Sequence, residues 1–334
     1  MDLIDRYLEH LVHNKGRSER TAAKYRLTLE RLQAFLAQAS TGLLEATQQQ
    51  LDAFTGIHAH SELKLSPRAR RPLVSAVRGF YGWALRVGLT KDNQAQAIET
   101  PLAGKPLPVA MSLQHAERLL MRCDMETFVG VRDAAMLAVL LGCGPRISGL
   151  CALNEGDLLW RLDDQRRERL IIRFSEKANK ERLVPAPAET AMLLHAYLGH
   201  AELEGIDRTL PNGDRVLFAS TKNRTVPPHE YHGEARRVRP LNVLRRIKRY
   251  GEQAGIPADE LHPHALRHLF GTELTESDVH LLVQQDLMGH EDPSSTQIYT
   301  QLALRKKTQA IDQASPMRKI RSPVSDLVRR LDQD

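Results

Sequence analysis

The chain is poor in cysteine, with only Cys123, Cys143 and Cys151 among 334 residues. An odd number without metal-type spacing argues against a disulfide framework or a thiolate metal module and implies three reduced, buried thiols. Long apolar runs are also missing: nothing approaches the roughly 20 residues that span a bilayer. The opening MDLIDRYLEHL carries Asp2 and Asp5 where a secretion signal has a basic flank. A cytoplasmic protein with no membrane partner is therefore expected. Internal repeats and heptad runs are absent too.

With 42% hydrophobic residues the chain can bury a core, and its length suggests two domains. The formal charge of +6 is small for this size. Its distribution is more telling. From Ser220 to Tyr250, nine basic residues (Lys222, Arg224, Arg236, Arg237, Arg239, Arg245, Arg246, Lys248 and Arg249) face only Glu230 and Glu234, a local charge of +7. A concentrated positive segment is the footprint of a phosphate-binding face.

The apolar spacing predicts a mainly α protein with a small antiparallel sheet. Residues 1–100 read as an all-helical domain. Leu3, Ile4, Tyr7, Leu8 and Leu11 share a helical face, as do Tyr25, Leu29, Leu32 and Phe35–Leu36 behind a Ser18 cap. Further helices are expected over 47–58 and 67–87, the latter flanked by Lys64, Arg68, Arg70, Arg71 and Arg78, a solvated face or a DNA-backbone contact. Three prolines and a glycine in TPLAGKPLP make 101–109 a linker. Beyond it an α+β domain is expected over 110–311. Ser112 caps its first helix, and VRDAAMLAVLLGCG is apolar all round and so buried. Gly142 to Pro145 then presents Arg146. Three short strands follow over 158–162, 170–174 and 182–184, with Lys177 in the second turn. A helix over 188–204, a strand over 216–219, an irregular basic loop over 220–240 and a helix over 241–254 complete this part. In the tail, 312–334, Val324, Leu327, Val328 and Leu331 form a short apolar stripe after Ser322-Pro323.

The densest chemistry lies between His262 and Thr300. HPHALRH places His264, Arg267 and His268 at helical spacing; His290 follows in LMGHEDPSSTQIYT, which ends in Tyr299. His264 and His268 have the spacing of a metal pair, but no acid or thiol stands nearby and Arg267 would repel a dication. Phosphoryl transfer fits better. Arginine forks bind phosphate oxygens without losing charge, and histidine, lysine and tyrosine supply base, acid and nucleophile.

GCGPRISGL with Arg146, SEKANKERLVP with Lys177, HPHALRH, LMGH and TQIYT occur in the order seen in tyrosine recombinases, the phage-integrase family, which the chain resembles over 1–311. LPVAMSLQHAERLL is similar to that family's entry into its catalytic domain, and SERTAAKYRLTLERLQAFL to its helical core-binding domain. The resemblance implies that Tyr299 attacks a DNA phosphodiester, giving a 3′-phosphotyrosyl bond, while Arg146, Arg267 and His290 hold the phosphate. Lys177 would protonate the leaving 5′-oxygen and His264 would handle the proton of Tyr299. His268 would pack beneath the site. No metal or nucleotide cofactor is implied. The implied partner is double-stranded DNA, bound by a tetramer on two sites with strand exchange through a Holliday junction; a partner recombinase or accessory protein fits the same scheme. Arg68, Arg70, Arg71, Arg224, Arg236, Arg237, Arg245 and Arg246 are the expected DNA contacts, and the tail is expected to dock on its own chain or on a neighbouring protomer.

The chain departs from the family in three places. Gly149 stands where an acidic residue usually follows the RIS triplet; EKANK lacks the usual glycines beside the lysine, with Lys180 the alternative to Lys177; and the basic loop 220–240 is longer than the family's core fold needs, an expected DNA or partner contact. Two other functions share parts of the pattern: a monomeric type IB topoisomerase and a catalytically silent DNA-binding regulator.

Overall fold

The computed structural model describes residues 2–104, 109–162, 166–175, 181–223, 226–289 and 300–327. The chain divides into two units, Met1–Pro106 and Leu107–Asp334. In the first, α1 (Leu3–Glu9) continues into a π-helical turn; α2 (Glu19–Ala37), α3 (Gln48–Ala53), the single turn α4 (Ala59–Ser61) and α5 (Pro67–Arg86) follow. Local chemistry sets these starts. Ser18 and Ser66 accept from backbone N–H groups three residues on, and Thr47 and Gln50 form a reciprocal capping box. The apolar faces meet in one core around Tyr7, Leu29, Leu32, Phe54, Phe80 and Tyr81. The expected helix over 47–58 is present as α3 plus a π-helical turn.

The second unit begins with α6 (Leu113–Leu120), capped by Ser112, and α7 (Phe128–Cys143), in which every residue except Val129 is buried. After α8 (Ile147–Ala152) come β1 (Leu158–Leu162), β2 (Glu168–Ser175) and β3 (Glu181–Pro185), an antiparallel meander in the order β1-β2-β3. The register pairs Leu158 with Ile172 and Ile172 with Val184, which puts alternate apolar residues against the helices. The expected helix over 188–204 is broken at Gly199 into α9 (Ala188–Leu198) and α10 (Ala201–Glu204), the second started by the His200 ring accepting from Glu202 N–H at 3.2 Å. The helices α11 (Pro240–Gln253), α12 (Pro263–Glu276), α13 (Leu281–Met288), α14 (Thr300–Ala314) and α15 (Pro316–Lys319) complete the unit.

No strand forms over 216–219; this segment makes only isolated bridges, Val216 with Asn154 and Ala219 with Arg237. Side chains take the backbone groups that a ladder would use. Tyr197 donates its hydroxyl to the Leu217 carbonyl at 2.9 Å and accepts from Ala219 N–H at 3.0 Å, while Arg132 donates to the Ala219 carbonyl at 2.7 Å. Arg132 belongs to a buried network. Its guanidinium pairs with Asp133, which also accepts from the Tyr250 hydroxyl at 2.9 Å and faces Arg246 at 3.3 Å. The three thiols are buried, and burial pushes Cys143 and Cys151 up to about 12, consistent with inert core residues.

The tail lies on its own unit as far as it is described. Ile311, Ala314, Met317 and Ile320 join the core, and ion pairs Arg169–Asp312 (2.9 Å), Arg318–Glu189 (3.3 Å) and Lys319–Glu273 (2.5 Å) run along the seam. Val324 packs against the core while Leu327 is half exposed; Val328 and Leu331 lie outside the described residues.

Removing Asp133 would strand the 4%-exposed Arg132. Asp133→Ala is expected to lower stability by about 3–5 kcal/mol and Tyr250→Phe by about 1 kcal/mol, measured by urea unfolding; equal midpoints for the two variants would refute this ranking.

Candidate active site

The site begins where α7 ends. Gly144 takes a left-handed conformation (φ 57°), and a Cβ there would stand 2.3 Å from the Phe270 ring, so both backbone and packing require glycine. Pro145 follows, and Arg146 stands in extended conformation at the start of α8. Its exposed side chain donates through Nη2 to the Gly289 carbonyl at 3.4 Å. Gly289 is itself left-handed (φ 64°) and ends α13.

On the opposite side α12 starts at His262, whose Nδ1 accepts from Ala265 N–H at 3.1 Å, with Pro263 in the first turn. Arg267 is turned inward and is only 6% exposed. It donates to the Gly144 carbonyl at 2.5 Å and to the Met288 carbonyl, joining the ends of α7 and α13. Two arginines from distant parts of the sequence therefore converge on Met288–Gly289, immediately before His290 in the chain. His264 is exposed at the edge of this surface. Partial burial, then the positive surroundings of His262, His268, Arg267 and Arg146, hold its pKa below the ordinary histidine value, which keeps the ring neutral.

His268 does not pack beneath the site. The buried stripe of α12 runs through Ala265, Leu266, Leu269 and Phe270, which leaves His268 exposed one turn beyond His264 on the same side of the helix. The pair His264 and His268 gains no third ligand: among the described residues no group of three potential metal ligands occurs.

Lys177, His290, Tyr299 and Arg224 lie outside the described residues. The flanks of Lys177, His290 and Tyr299 are tied to the same region. β2 ends at Ser175 and β3 begins at Glu181, on either side of the Lys177 turn. α14 begins at Thr300, one residue past Tyr299, and Lys307 on it pairs with Asp286 of α13 and donates to the Leu183 carbonyl of β3 at 3.4 Å. Gly149 sits one turn into α8. A Cβ there would meet Phe174 and Pro145 at 3.8 and 3.9 Å, ordinary contact, so packing does not demand glycine.

The expected DNA contacts divide. Arg68, Arg71 and Arg245 are exposed, and Arg70 is half-buried with a 3.4 Å bond to the Gly56 carbonyl. Arg236 stacks over the Tyr231 ring at 3.8 Å. Two more of them hold partners within the chain. Arg237 is a structural clamp, donating to the carbonyls of Cys151 and Leu153, to Asn154 and to Glu234. Arg246 faces buried Asp133 because α11 packs that edge against α7. The exposed cations of this stretch also include Arg239, Lys248 and Arg249.

Sequence reasoning missed Arg182. It is 6% exposed on β3 and donates to the Leu287 carbonyl of α13. The signal was present in ERLVP, where the charged Arg182 shares a strand face with buried Val184 and Leu183 faces outward.

The chain is similar to known proteins across both of its units. The Phage integrase family matches residues 110–305, and the Phage integrase N-terminal SAM-like domain matches 4–88. Tyrosine recombinase XerD of Proteus mirabilis is 32% identical over 91% of this chain and 90% of its own length. Tyrosine recombinase XerC of Chromobacterium violaceum is 32% identical over 97% and 98%. In fold, the chain is similar to XerH recombinase in its post-cleavage complex with a palindromic difH substrate (TM-score 0.63, 16% identity, 93% of this chain and 94% of that one). It is likewise similar to a lambda integrase tetramer bound to a Holliday junction (TM-score 0.60, 16% identity, 90% and 75%). Matched across both units and similar to XerD and XerC along nearly their full lengths, this chain belongs to the phage integrase family and is a tyrosine-type site-specific recombinase.

Proposed function

We propose that the chain cuts and rejoins DNA strands at a specific site, with Tyr299 as nucleophile. The observation that carries this reading is the convergence of Arg146 and Arg267 on the turn that leads into His290. The Tyr299 oxygen attacks phosphorus and forms a phosphotyrosyl ester; the bond to the 5′-oxygen breaks, and Lys177 delivers a proton to that oxygen. His264 takes the tyrosine proton, for which its suppressed pKa keeps the imidazole in the accepting form. Arg146, Arg267 and His290 bind the non-bridging oxygens as charge develops. The ester retains the phosphodiester energy, so the reversal, by a 5′-hydroxyl from another strand, needs neither nucleotide nor metal. Four protomers on two duplexes exchange one strand pair at a time through a Holliday junction, alone or with a partner recombinase. The work is cytoplasmic; among the described residues no helix is long and apolar enough to cross a membrane.

DNA affinity is supplied by Arg68, Arg70 and Arg71 on α5 and by Arg236 and Arg245 around α11, together with Arg224. Arg237 fastens the 220–240 segment to its unit, and the Tyr231 hydroxyl, which donates to the Ser220 carbonyl at 2.6 Å, closes the segment on itself. Point substitutions therefore test it better than deletion.

Junctions sequenced from cells supply the site, and a nicked duplex carrying it traps the intermediate. Wild-type protein is expected to give a covalent adduct and Tyr299→Phe none; an adduct on the phenylalanine variant would remove Tyr299 from its role. Joining to a second site separates a recombinase from a topoisomerase, which relaxes supercoils without such joining.

The single-turnover cleavage rate is expected to stay flat on the acid side of about pH 6.5, the ordinary histidine value, and to fall only when His264 takes a proton. A rate that already halves at the ordinary value would contradict His264 as the base. Arg245→Ala is expected to weaken DNA binding and to lower the slope of log K against log salt by about 0.9; an unchanged slope means no phosphate contact at Arg245.

A further inference from the structure

Three consecutive carbonyls at the end of α13 each accept a hydrogen bond from a different arginine. Arg182 on β3 donates through Nη1 to Leu287, Arg267 on α12 through Nη2 to Met288, and Arg146 before α8 through Nη2 to Gly289. The last carbonyls of a helix lack intrahelical partners and carry the negative end of its dipole, so cations gather there favourably. The reaction assigned above uses Arg146 and Arg267 and leaves Arg182 without a task. Burying a guanidinium is costly unless it is hydrogen-bonded, and the bond Arg182 makes is to the last turn of α13. Arg182 is 6% exposed and lies over the Phe174 ring at 5.1 Å.

We propose that Arg182 is a positioning residue of the cleavage site. It fixes the last turn of α13, and with it the carbonyls that hold Arg146 and Arg267 and the point where the chain enters His290. The inference rests on reading the chain as a Tyr299 recombinase. Arg146 is exposed and its bond to Gly289 is long, at 3.4 Å, so a phosphate oxygen, a stronger acceptor, can take over from that carbonyl. Arg182 is buried against an aromatic ring and a backbone carbonyl, and holds its place while the exposed Arg146 beside it turns to DNA. The same side chain ties α13 to the strand that follows the Lys177 turn, which raises a rival route: action through the general acid.

The test uses the full chain with Arg182→Met, which keeps the apolar stem, and Arg182→Lys, which keeps a charged donor. Adduct formation is followed in single turnover on the nicked site and on the same site with a 5′-bridging sulfur, a leaving group that needs no proton. Affinity for the uncut site and the melting curve are recorded alongside. Arg182→Met is expected to slow adduct formation on the order of 10²-fold, the effect of a displacement near 1 Å in a reacting site, with DNA affinity unchanged. Arg182→Lys recovers part of the rate, and sulfur restores neither variant. A wild-type rate in Arg182→Met overturns the proposal. So does a parallel loss of DNA affinity, which makes Arg182 a phosphate ligand, or full rescue by sulfur, which routes its effect through Lys177. If Arg182→Met does not fold, Arg182→Lys decides: slowed cleavage at unchanged affinity supports positioning, and an unchanged rate ends it. A wild-type protein that forms no adduct fails the Tyr299 reading itself, and the inference falls with it.

Discussion

A helix buried on nearly every side leaves its ends little freedom, and α7 is such a helix. Its Arg132–Asp133 pair anchors one end to α11 and to the 216–220 segment. At the other end Gly144 closes the helix against Phe270, and the next residues place Arg146. Because Phe270 belongs to α12, the element that carries Arg267, the contact that forces a glycine also sets the separation of the elements bearing the two arginines. Packing and chemistry are thus coupled through one ring: an apolar core, which is indifferent to direction, is converted by a left-handed turn and a proline into a directed cation.

Much of this was legible in the chain. Ser18, Thr47, Ser66 and Ser112 act locally, through bonds to backbone groups a few residues on, so the helix starts could be read from sequence. The strands were equally visible, because their alternation faces a single core. What was not legible depended on distant partners. The 216–219 segment has the composition of a strand, but Tyr197 and Arg132 take its backbone groups. Arg237 and Arg246 look like their neighbours in a basic run, and only the carbonyls of 151 and 153 and the buried Asp133 distinguish them. Of the expected site, Arg146, His264 and Arg267 come together, while His268, one turn past His264 on the same side of α12, is exposed rather than packed beneath them.

The basic segment thus serves two ends. Some of its arginines are structural rivets with hydrogen bonds to carbonyls, where a planar fork with several donors is worth more than charge alone. Others, such as Arg245 and Arg249, are exposed, where charge acts at a distance. Net charge alone overstates the surface available to a polyanion.

The room beside Gly149 has a genetic consequence. Every glycine codon is a single base change from a codon for aspartate or glutamate, and a side chain at this position would begin at ordinary contact distance from Phe174 and Pro145. The chain therefore stands one point mutation from an acidic residue at this position, with no packing barrier at the first carbon. Packing does not hold the glycine in place, and a variant screen can cross that step in either direction.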